Sequence, residues 1–378
     1  MTESAVTVST DPLGMTLGDF AAMRKTHPQA VRDEYKRMMR RGEGVALPAI
    51  LRRVDDEGTV KFCLPAGEAN GQQLETESVI IPMTSYRGTD WCTLCVSSQV
   101  GCRMGCTFCE TGRMGLLRNL TAGEIVRQRL VARTIRTEAK GLNAEGVEAV
   151  GVRGVGGQKY FSDGIQNIVF MGMGEPLDNF ENLVQAIRVL NDPCGLDFPH
   201  TQITVSTVGR IDGLRKLAAL SWPNLRIAIS LNAANDRLRD ELMPVNKGMP
   251  LAELRRTLQE YPLAPKARFL IEYVLIKGVN DSLADADAVA EFCRSLPCIV
   301  NVIPYNPQRF AAYETPAEET IGAFIFRLKG HGIFTKRRIT HGRDLMGACG
   351  QLGNPEVRRQ KGAKVQVTSS RGADLGGG

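Results

Sequence analysis

Short apolar runs rich in β-branched residues recur along most of this chain, and each is followed by a stretch with apolar residues every three to four positions. The runs are typical of buried strands and the stretches of amphipathic helices. The predicted strands cover residues 92–97, 168–171, 203–205, 225–231, 269–276 and 300–303. The predicted helices cover residues 122–140, 180–191, 214–219, 251–260, 284–295 and 317–330.

This alternation predicts an α/β protein with a parallel sheet, because a helical crossover returns the chain to the end at which the previous strand began. The pattern contains six strand–helix units, whereas a closed barrel of this kind has eight. A partial (βα)6 barrel, similar to part of a TIM barrel, is therefore favoured. A doubly wound open sheet is the alternative.

The first 85 residues follow a different pattern and predict a small accessory module. Residues 1–14 are rich in Ser and Thr without periodicity, which predicts a disordered tail. Two short helices are expected next, one around residues 19–25 and one that begins at Pro28, since proline is tolerated in a first turn. Alternating runs between residues 49 and 82 predict a small antiparallel sheet with turns at Gly67 and Gly71.

The patterns thus divide the chain into an accessory module at residues 1–85, a barrel core at 86–352 and a flexible basic tail at 353–378. Residues 141–164 are glycine-rich and interrupt the first crossover of the core, so we expect an exposed loop or a hairpin there.

The composition indicates a globular cytoplasmic protein. Its 378 residues are 43% hydrophobic, enough for a buried core. The apolar runs are far shorter than the roughly 18 residues that cross a bilayer, and residues 1–14 lack the apolar segment of a secretory signal. A net charge of +6, with basic residues crowded near both ends, permits a nucleic acid as partner. Ten cysteines in such a chain favour metal or thiol chemistry over a disulfide framework.

Three cysteines, Cys102, Cys106 and Cys109, lie within eight residues, among glycines that allow a tight loop. Structural zinc needs four ligands, usually from two CxxC-type pairs, and no second pair follows in the sequence. A [4Fe–4S] cluster held by three cysteines leaves its fourth iron open for a further ligand. The motif therefore favours an iron–sulfur cluster, with zinc or metal-free redox thiols as the alternatives.

Polar residues and glycines follow several predicted strands, at the ends where parallel barrels bind ligands. A lone residue of this kind is commonly a turn residue or a helix cap. Such residues at the ends of four predicted strands, all on one rim of the barrel, favour a ligand site. The residues are Gly174, Glu175, Ser206, Ser230, Asn232 and Asn306.

Two further cysteines lie outside the three-cysteine motif. Cys95 precedes the motif, and Cys349 lies in a polar segment after the last predicted strand. Free cysteine is often a small apolar filler, so the residues alone leave both between a structural and a reactive role.

The CxxxCxxC spacing, with Phe108 before the last cysteine, resembles the signature of radical S-adenosylmethionine (SAM) enzymes. A series of segments in the same order resembles, more narrowly, the RlmN/Cfr family of radical-SAM RNA adenine methyltransferases. The segments are TLCVSSQVGC at 93–102, MGMGEPL at 171–177, VST at 205–207, ISLNA at 229–233, IPYNP at 303–307, RD at 343–344 and ACGQL at 348–352.

The resemblance implies that Cys102, Cys106 and Cys109 hold a [4Fe–4S] cluster and that SAM binds at its open iron. The SAM pocket would be lined by Gly174, Glu175, Ser206, Ser230, Leu231, Asn232 and Asn306.

The resemblance also implies three catalytic residues. Cys349 would carry a methyl group taken from a first SAM, while a second SAM supplies a radical. Cys95 would release Cys349 through a transient disulfide. Glu77 occupies the approximate place of the family's proton-accepting carboxylate, and Glu75 is the alternative.

The implied substrate is an adenosine of 23S rRNA, and of tRNA for some members of the family. Methylation at carbon 2 is favoured, and carbon 8, as in Cfr, is the alternative. Three departures from the family pattern bear on the choice of RNA: Asn232 in place of histidine, a shorter amino-terminal module and a longer crossover at 141–164. An electron donor such as flavodoxin or ferredoxin, no membrane and a monomeric state are expected.

Two other functions stay open at this point. One is a non-catalytic iron–sulfur or RNA-binding protein with the same fold. The other is a radical-SAM enzyme that acts on a small molecule or on another RNA.

Overall fold

The computed structural model describes residues 10–69, 71–85, 88–141, 152–153, 159–308, 312–339, 342, 344–354 and 357. The strands are β1 (Arg52–Asp56), β2 (Thr59–Ala69), β3 (Gln72–Thr84), β4 (Asp90–Cys95), β5 (Gln99–Val100), β6 (Arg118–Asn119), β7 (Val152–Arg153), β8 (Lys159–Tyr160), β9 (Ile165–Phe170), β10 (Ile203–Thr207), β11 (Arg226–Ser230), β12 (Phe269–Leu275), β13 (Cys298–Pro304) and β14 (Thr335–Arg337). The α-helices are α1 (Leu17–Met23), α2 (Pro28–Arg41), α3 (Glu110–Met114), α4 (Ala122–Ala139), α5 (Phe180–Asn191), α6 (Ile211–Ala219), α7 (Asp236–Leu242), α8 (Leu251–Glu260), α9 (Leu283–Cys293) and α10 (Glu318–Gly330).

Ten strands form one sheet in the order β1-β2-β3-β4-β9-β10-β11-β12-β13-β14. Every neighbouring pair from β4 to β14 is parallel. Each of these strands lies beside the parallel strand that precedes it in the chain, so the order never reverses. A doubly wound sheet reverses its strand order at a switch point. The partial barrel is therefore confirmed, and the doubly wound alternative is wrong.

The parallel part of the described sheet has a seventh strand, β14, which the sequence pattern did not predict. β14 has three residues, and two of them are charged, so it has no apolar run to mark it. Helix α7 was missed for the same reason, because five of its seven residues are charged. The other strands and helices predicted for the core are confirmed, with shifts of a few residues at their ends.

The strands of the predicted accessory module are antiparallel, as expected, but they do not form a sheet of their own. β3 pairs with β4 over six residues and so joins β1 and β2 to the central sheet. The proposed boundary at residue 85 falls between these two paired strands. Gly71 lies in the turn between β2 and β3, whereas Gly67 lies within β2 beside a register shift.

The disordered tail predicted for residues 1–14 is wrong for Pro12–Gly14, which forms a 3-10 helix. Leu13 is completely buried there, and Asp11 pairs with Arg127 of α4 at 2.8 Å. Apolar burial and this ion pair hold the segment against the core. Residues 1–9 lie outside the described part of the chain.

The insertion at 141–164 contains a short antiparallel ribbon, β7 with β8, and most of its other residues lie outside the described ranges. Of the predicted tail, only residues 353, 354 and 357 are described.

A single apolar cluster joins the sheet to the helices, with Leu130, Ile187, Leu217, Leu254 and Phe324 among its helical members. The described helices include none with the length and apolar content that a membrane span requires.

Candidate active site

The three clustered cysteines lie on a loop between β5 and α3, beyond the carboxyl end of β4. β5 pairs with β6, and the Gln99 side chain donates a hydrogen bond to Asn119 Oδ1 at 2.8 Å, which fixes the base of the loop. The loop begins at Gly101, whose φ is +73°. A Cβ at this position would lie 1.8 Å from the carbonyl oxygen of Gly115. The loop that carries the thiols therefore requires glycine at its start.

Replacing Gly101 with alanine is expected to lower the free energy of unfolding by about 2 kcal/mol more than replacing Gly71, because only Gly101→Ala adds a backbone clash to the strained φ. Gly71 has a matching φ of +71° with no atom near its missing Cβ. Chemical denaturation of both variants measures the difference. Equal losses in the free energy of unfolding would show that the loop backbone shifts to accommodate alanine at position 101 with no further loss of stability.

The three thiols are close to one another and shielded from water. Cys102 and Cys106 are buried, and Cys109 is half-buried. Burial raises the pKa of all three thiols, and the charge of the neighbouring cysteines raises the pKa of Cys102 and Cys106 further. Thiolates at such a site need a bound cation, which iron would supply.

The structure places three buried or half-buried thiols, those of Cys102, Cys106 and Cys109, on one loop. Structural zinc takes four ligands, usually all from the protein. A [4Fe–4S] cluster can be held by three cysteines, with its fourth iron open to a further ligand. The three thiols of this loop therefore fit the cluster.

A cavity of about 150 Å³ lies against the three thiols, where the parallel strands end. Its lining includes Gly174, Glu175, Ser206, Ser230 and Asn232 from the predicted SAM pocket. Gly172 also lines it, and a Cβ there would lie 2.6 Å from the carbonyl oxygen of Val96. A larger residue at 172 would therefore clash with the backbone that follows β4.

Two residues predicted for the SAM pocket do not line this cavity. Leu231 is fully buried beneath it. Asn306 is also buried, and its side-chain amide donates to the carbonyl oxygen of Cys349 at 3.2 Å. Asn306 therefore holds the backbone of the Cys349 segment, while its own Oδ1 has no partner among the described residues.

Glu175 is the buried carboxylate of the cavity. Its Oε1 accepts from the backbone N–H of Leu177 at 3.1 Å, and its Oε2 accepts from that of Val208 at 2.8 Å. Burial nevertheless raises the pKa of Glu175 to about 7. A bound ammonium group would favour the charged form and lower this pKa. The two backbone donors thus hold this carboxylate in one orientation at the wall of the cavity.

Asn232 adopts a left-handed backbone with φ of +56°. Asn is among the few non-glycine residues that tolerate this region. Its Oδ1 accepts from the backbone N–H of Val274 at 2.9 Å, and its carbonyl oxygen accepts from Asn280 at 2.7 Å. Asn232 therefore ties the end of β11 to the end of β12.

Arg239 of α7 was not predicted from the sequence, where nothing distinguishes it from a surface arginine. It is fully buried, and its guanidinium donates to the carbonyl oxygens of Val208, Ser230 and Leu231 at 2.6, 3.3 and 3.0 Å. One side chain thus fixes the ends of β10 and β11 at the floor of the cavity.

Of the two separate cysteines, Cys349 lines the cavity and Cys95 does not. Cys95 is buried at the end of β4, and Cys349 is half-buried and lines the cavity. Burial raises the pKa of the Cys95 thiol to about 12, and the charge of Cys349 is the next contribution. The structure therefore brings Cys349, which is far from the motif in sequence, to the cavity of the three motif cysteines.

Glu77 does not line this cavity. Its carboxylate pairs with Lys61 at 2.7 Å and accepts from the backbone N–H of Gly353 at 3.2 Å. Glu75, the alternative, pairs with Arg52. In the structure, Glu77 thus contacts the chain segment that carries Cys349 rather than the thiol itself.

Comparisons with known proteins agree with this geometry. The model of the radical SAM superfamily matches residues 96–292. A "probable dual-specificity RNA methyltransferase RlmN 1" of Protochlamydia amoebophila is 40% identical over 312 residues, which are 82% of this chain and 78% of that protein. A "dual-specificity RNA methyltransferase RlmN" of Xanthobacter autotrophicus is 42% identical over 314 residues, 80% of this chain and 70% of that protein.

A solved structure of a radical SAM methyltransferase from Sphaerobacter thermophilus is similar with a TM-score of 0.76 and 32% sequence identity, and the match covers 90% of this chain and 98% of the other. The cofactors of this chain are accordingly a [4Fe–4S] cluster and SAM, which the thiols and the cavity fit. Zinc, metal-free thiols and a non-catalytic role are set aside. The chain belongs to the radical SAM superfamily and, within it, to the RlmN family of RNA methyltransferases.

Proposed function

We propose that this protein methylates carbon 2 of an adenine in 23S rRNA and in tRNA, and that Cys349 carries the methyl group. The observation that supports the proposal most is that Cys349 lines the same cavity as the three motif cysteines and Glu175. The relatives named as dual-specificity RNA methyltransferases favour two RNA substrates.

When bound, the cluster and SAM supply a carbon radical that removes a hydrogen atom from an unactivated carbon. The Cys102, Cys106 and Cys109 thiolates would hold the cluster, and Glu175 would accept hydrogen bonds from the amine of SAM. An electron donor such as flavodoxin or ferredoxin would provide the electron. The ring carbons of adenine are not nucleophilic enough to take a methyl cation, so a polar transfer is not available to this enzyme.

The Cys349 thiolate would first displace the methyl group from one SAM and form a thioether. After loss of one hydrogen atom, the sulfur-bound carbon of Cys349 would add to the adenine ring. The adduct then passes one electron to the oxidised form of the electron-donor protein and loses the ring proton. Glu77 is proposed to accept that proton, with Glu75 as the alternative, since Glu77 already contacts the Cys349 segment.

The Cys95 thiolate would then attack the Cys349 sulfur. This step forms the Cys95–Cys349 disulfide and breaks the bond between sulfur and the transferred carbon. The carbon leaves with the electron pair and takes a proton from solvent to become the methyl group. Two electrons and two protons from a reductant return both thiols to their starting state.

Nucleoside mass mapping of a deletion strain tests the substrate assignment. We expect 2-methyladenosine to disappear from both 23S rRNA and tRNA, and to return when the parent gene, but not Cys349→Ala, is restored. Loss of 8-methyladenosine would instead assign carbon 8. If neither nucleoside changes in either RNA, another RNA or a small molecule is the substrate and the proposal is wrong.

A further inference from the structure

Three segments of the chain are bonded to one another next to Cys349. They are the Cys109 segment at 107–111, the Cys349 segment at 348–352 and the loop at 305–308 that directly follows β13. Cys109 and Cys349 both line the cavity. The cluster ligand and the proposed methyl carrier therefore lie on separate segments, and contacts between these segments set their separation.

The side chain of Gln308 bonds the Cys109 segment and the Cys349 segment at once. Its amide Nε2 donates to the carbonyl oxygen of Phe108, and to that of Gly350 at 3.2 Å. Phe108 immediately precedes Cys109, and Gly350 immediately follows Cys349. Only the NH2 end of the amide can donate to two carbonyl oxygens, so its orientation is fixed. Gln308 is 7% exposed, and water therefore does not readily replace these bonds.

The same two segments also touch through their backbones. The backbone N–H of Glu110 donates to the carbonyl oxygen of Gly350 at 2.8 Å, and Thr111 Oγ1 donates to that of Leu352 at 2.5 Å. Gly350 has a φ of +85°, and a Cβ there would lie 3.1 Å from the carbonyl oxygen of Phe108. A shift of one segment therefore disturbs its contacts with the other.

The loop that carries Gln308 is itself anchored. It begins where β13 ends, so the sheet holds its first residue. The side-chain amide of Asn306 donates to the carbonyl oxygen of Cys349 at 3.2 Å, and that of Gln351 donates to the carbonyl oxygen of Pro307 at 2.7 Å. Gln308 thus links the two segments to the end of a strand and not to a free loop.

We propose that Gln308 is a positioning residue that joins the Cys109 segment to the Cys349 segment and so sets the distance between the cluster site and the methyl carrier. Transfer of a hydrogen atom needs the reacting atoms about 3–3.5 Å apart, and a displacement of about 1 Å can slow a step about 10²-fold. The use made of this distance rests on the proposed function, whereas the contact itself does not.

The first experiment follows hydrogen removal in the full-length, cluster-loaded protein, with RNA, a strong reductant and SAM whose methyl group carries three deuterium atoms. One deuterium atom breaks its bond to the carbon on Cys349 and forms a bond to the 5′ carbon, so 5′-deoxyadenosine gains one deuterium. SAM that is cleaved without this step gives unlabelled 5′-deoxyadenosine, because the hydrogen atom then comes from the solvent or the reductant. Mass spectrometry after several turnovers gives the labelled fraction.

Nearly all 5′-deoxyadenosine from the parent protein should be labelled. In Gln308→Met, which removes both hydrogen bonds, we expect the labelled fraction to fall at least about twofold, because misplacement slows the transfer and leaves time for unlabelled quenching. The total amount of 5′-deoxyadenosine should stay within about twofold of the parent, because all three cluster ligands are kept.

The second experiment requires no turnover. Hydrogen exchange is measured by mass spectrometry in the full-length, cluster-loaded protein, anaerobically and without SAM or RNA. Peptides that contain residues 348–352 should exchange about fivefold faster in Gln308→Met than in the parent, as for loss of one net hydrogen bond.

Gln166→Met is the matched control. Gln166 is also a buried glutamine, near the start of β9 and therefore at the end of the strand opposite the cavity. Its side-chain amide accepts from the backbone N–H of Phe161 at 2.9 Å and donates to the carbonyl oxygen of Phe161 at 3.2 Å. This variant loses two comparable bonds and should leave the labelled fraction and the exchange of residues 348–352 unchanged. If Gln308→Met does not fold, Gln308→Asn takes its place, because its shorter amide cannot reach both carbonyl oxygens.

A labelled fraction in Gln308→Met equal to that of the parent would overturn the inference. So would an equal fall in Gln166→Met, which indicates a general loss of stability. Unlabelled 5′-deoxyadenosine from the parent would instead refute the proposed function, and hydrogen exchange then decides the inference alone. Faster exchange of residues 348–352 in Gln308→Met, but not in Gln166→Met, would support the joining role, and exchange equal to that of the parent would overturn it.

Discussion

Replacing Cys349 with alanine is expected to reduce RNA methylation by about 10³-fold or more, because the variant has no atom to carry the methyl group. The loss of activity should be confined to transfer of the methyl group. Cys349 is not one of the three motif cysteines, so the variant should still bind a cluster and still cleave SAM under reducing conditions. The measurements are methylated adenosine in the RNA and 5′-deoxyadenosine in the supernatant.

Two companion variants sharpen this result. Cys194→Ala changes a half-buried cysteine outside the cavity and should leave both products at parent levels. Cys95→Ala should complete the addition but not the release, so RNA should remain covalently attached to Cys349. Methylation by Cys349→Ala at more than a few per cent of the parent rate would mean that the methyl group does not pass through this residue.

Replacing Cys106 with alanine is expected to abolish both RNA methylation and the cleavage of SAM. The variant keeps only two of the three thiolates that hold the [4Fe–4S] cluster, and the remaining cavity residues cannot replace the third. The purified protein should therefore lack the iron and the visible absorbance of the cluster. No 5′-deoxyadenosine should form with SAM and a strong reductant. Iron analysis and product chromatography provide the measurements.

Cys92→Ala is the matched control for this variant. Cys92 is buried on β4, close in sequence to the motif, but it does not line the cavity. Its replacement costs about 1 kcal/mol of packing and should leave the cluster intact. A Cys106→Ala protein with the parent's iron content would show that the ligand assignment is wrong.

Much of the barrel could be predicted because its strands are buried on both faces and read as apolar runs. The run at 225–231 contains a single charged residue, Arg226, and coincides with β11. β14 and α7 escaped because most of their residues are charged and leave no apolar run in the sequence. Arg338 follows the first, and Arg239 lies on the second.

The residues of the candidate site also fall into some that the sequence pattern predicts and others that only the structure shows. Cys102, Cys106 and Cys109 are adjacent in sequence, so their spacing alone predicted a shared ligand. Glu272, Arg338 and Cys349 come from different parts of the barrel sequence, and the fold brings them to one cavity. Periodicity carries no signal for such contacts, because it reports which face of an element is buried and not what meets it.

Glu77 shows a further limit. Its approximate place in the family pattern suggested a proton acceptor, and the structure pairs its carboxylate with Lys61 and with the backbone of Gly353. Position along a strand identified the residue but not its partners. The proton-accepting role stays a prediction.

Transfer of a labelled methyl group tests the central claim most directly. The protein is given RNA and SAM whose methyl group carries three deuterium atoms, over several turnovers, and the methylated adenosine is weighed after digestion. If Cys349 carries the group, one deuterium is removed before the carbon joins the ring and one solvent proton replaces it, so the new methyl group retains two. A product that retains all three deuterium atoms would show that the methyl group moves intact and would contradict the account.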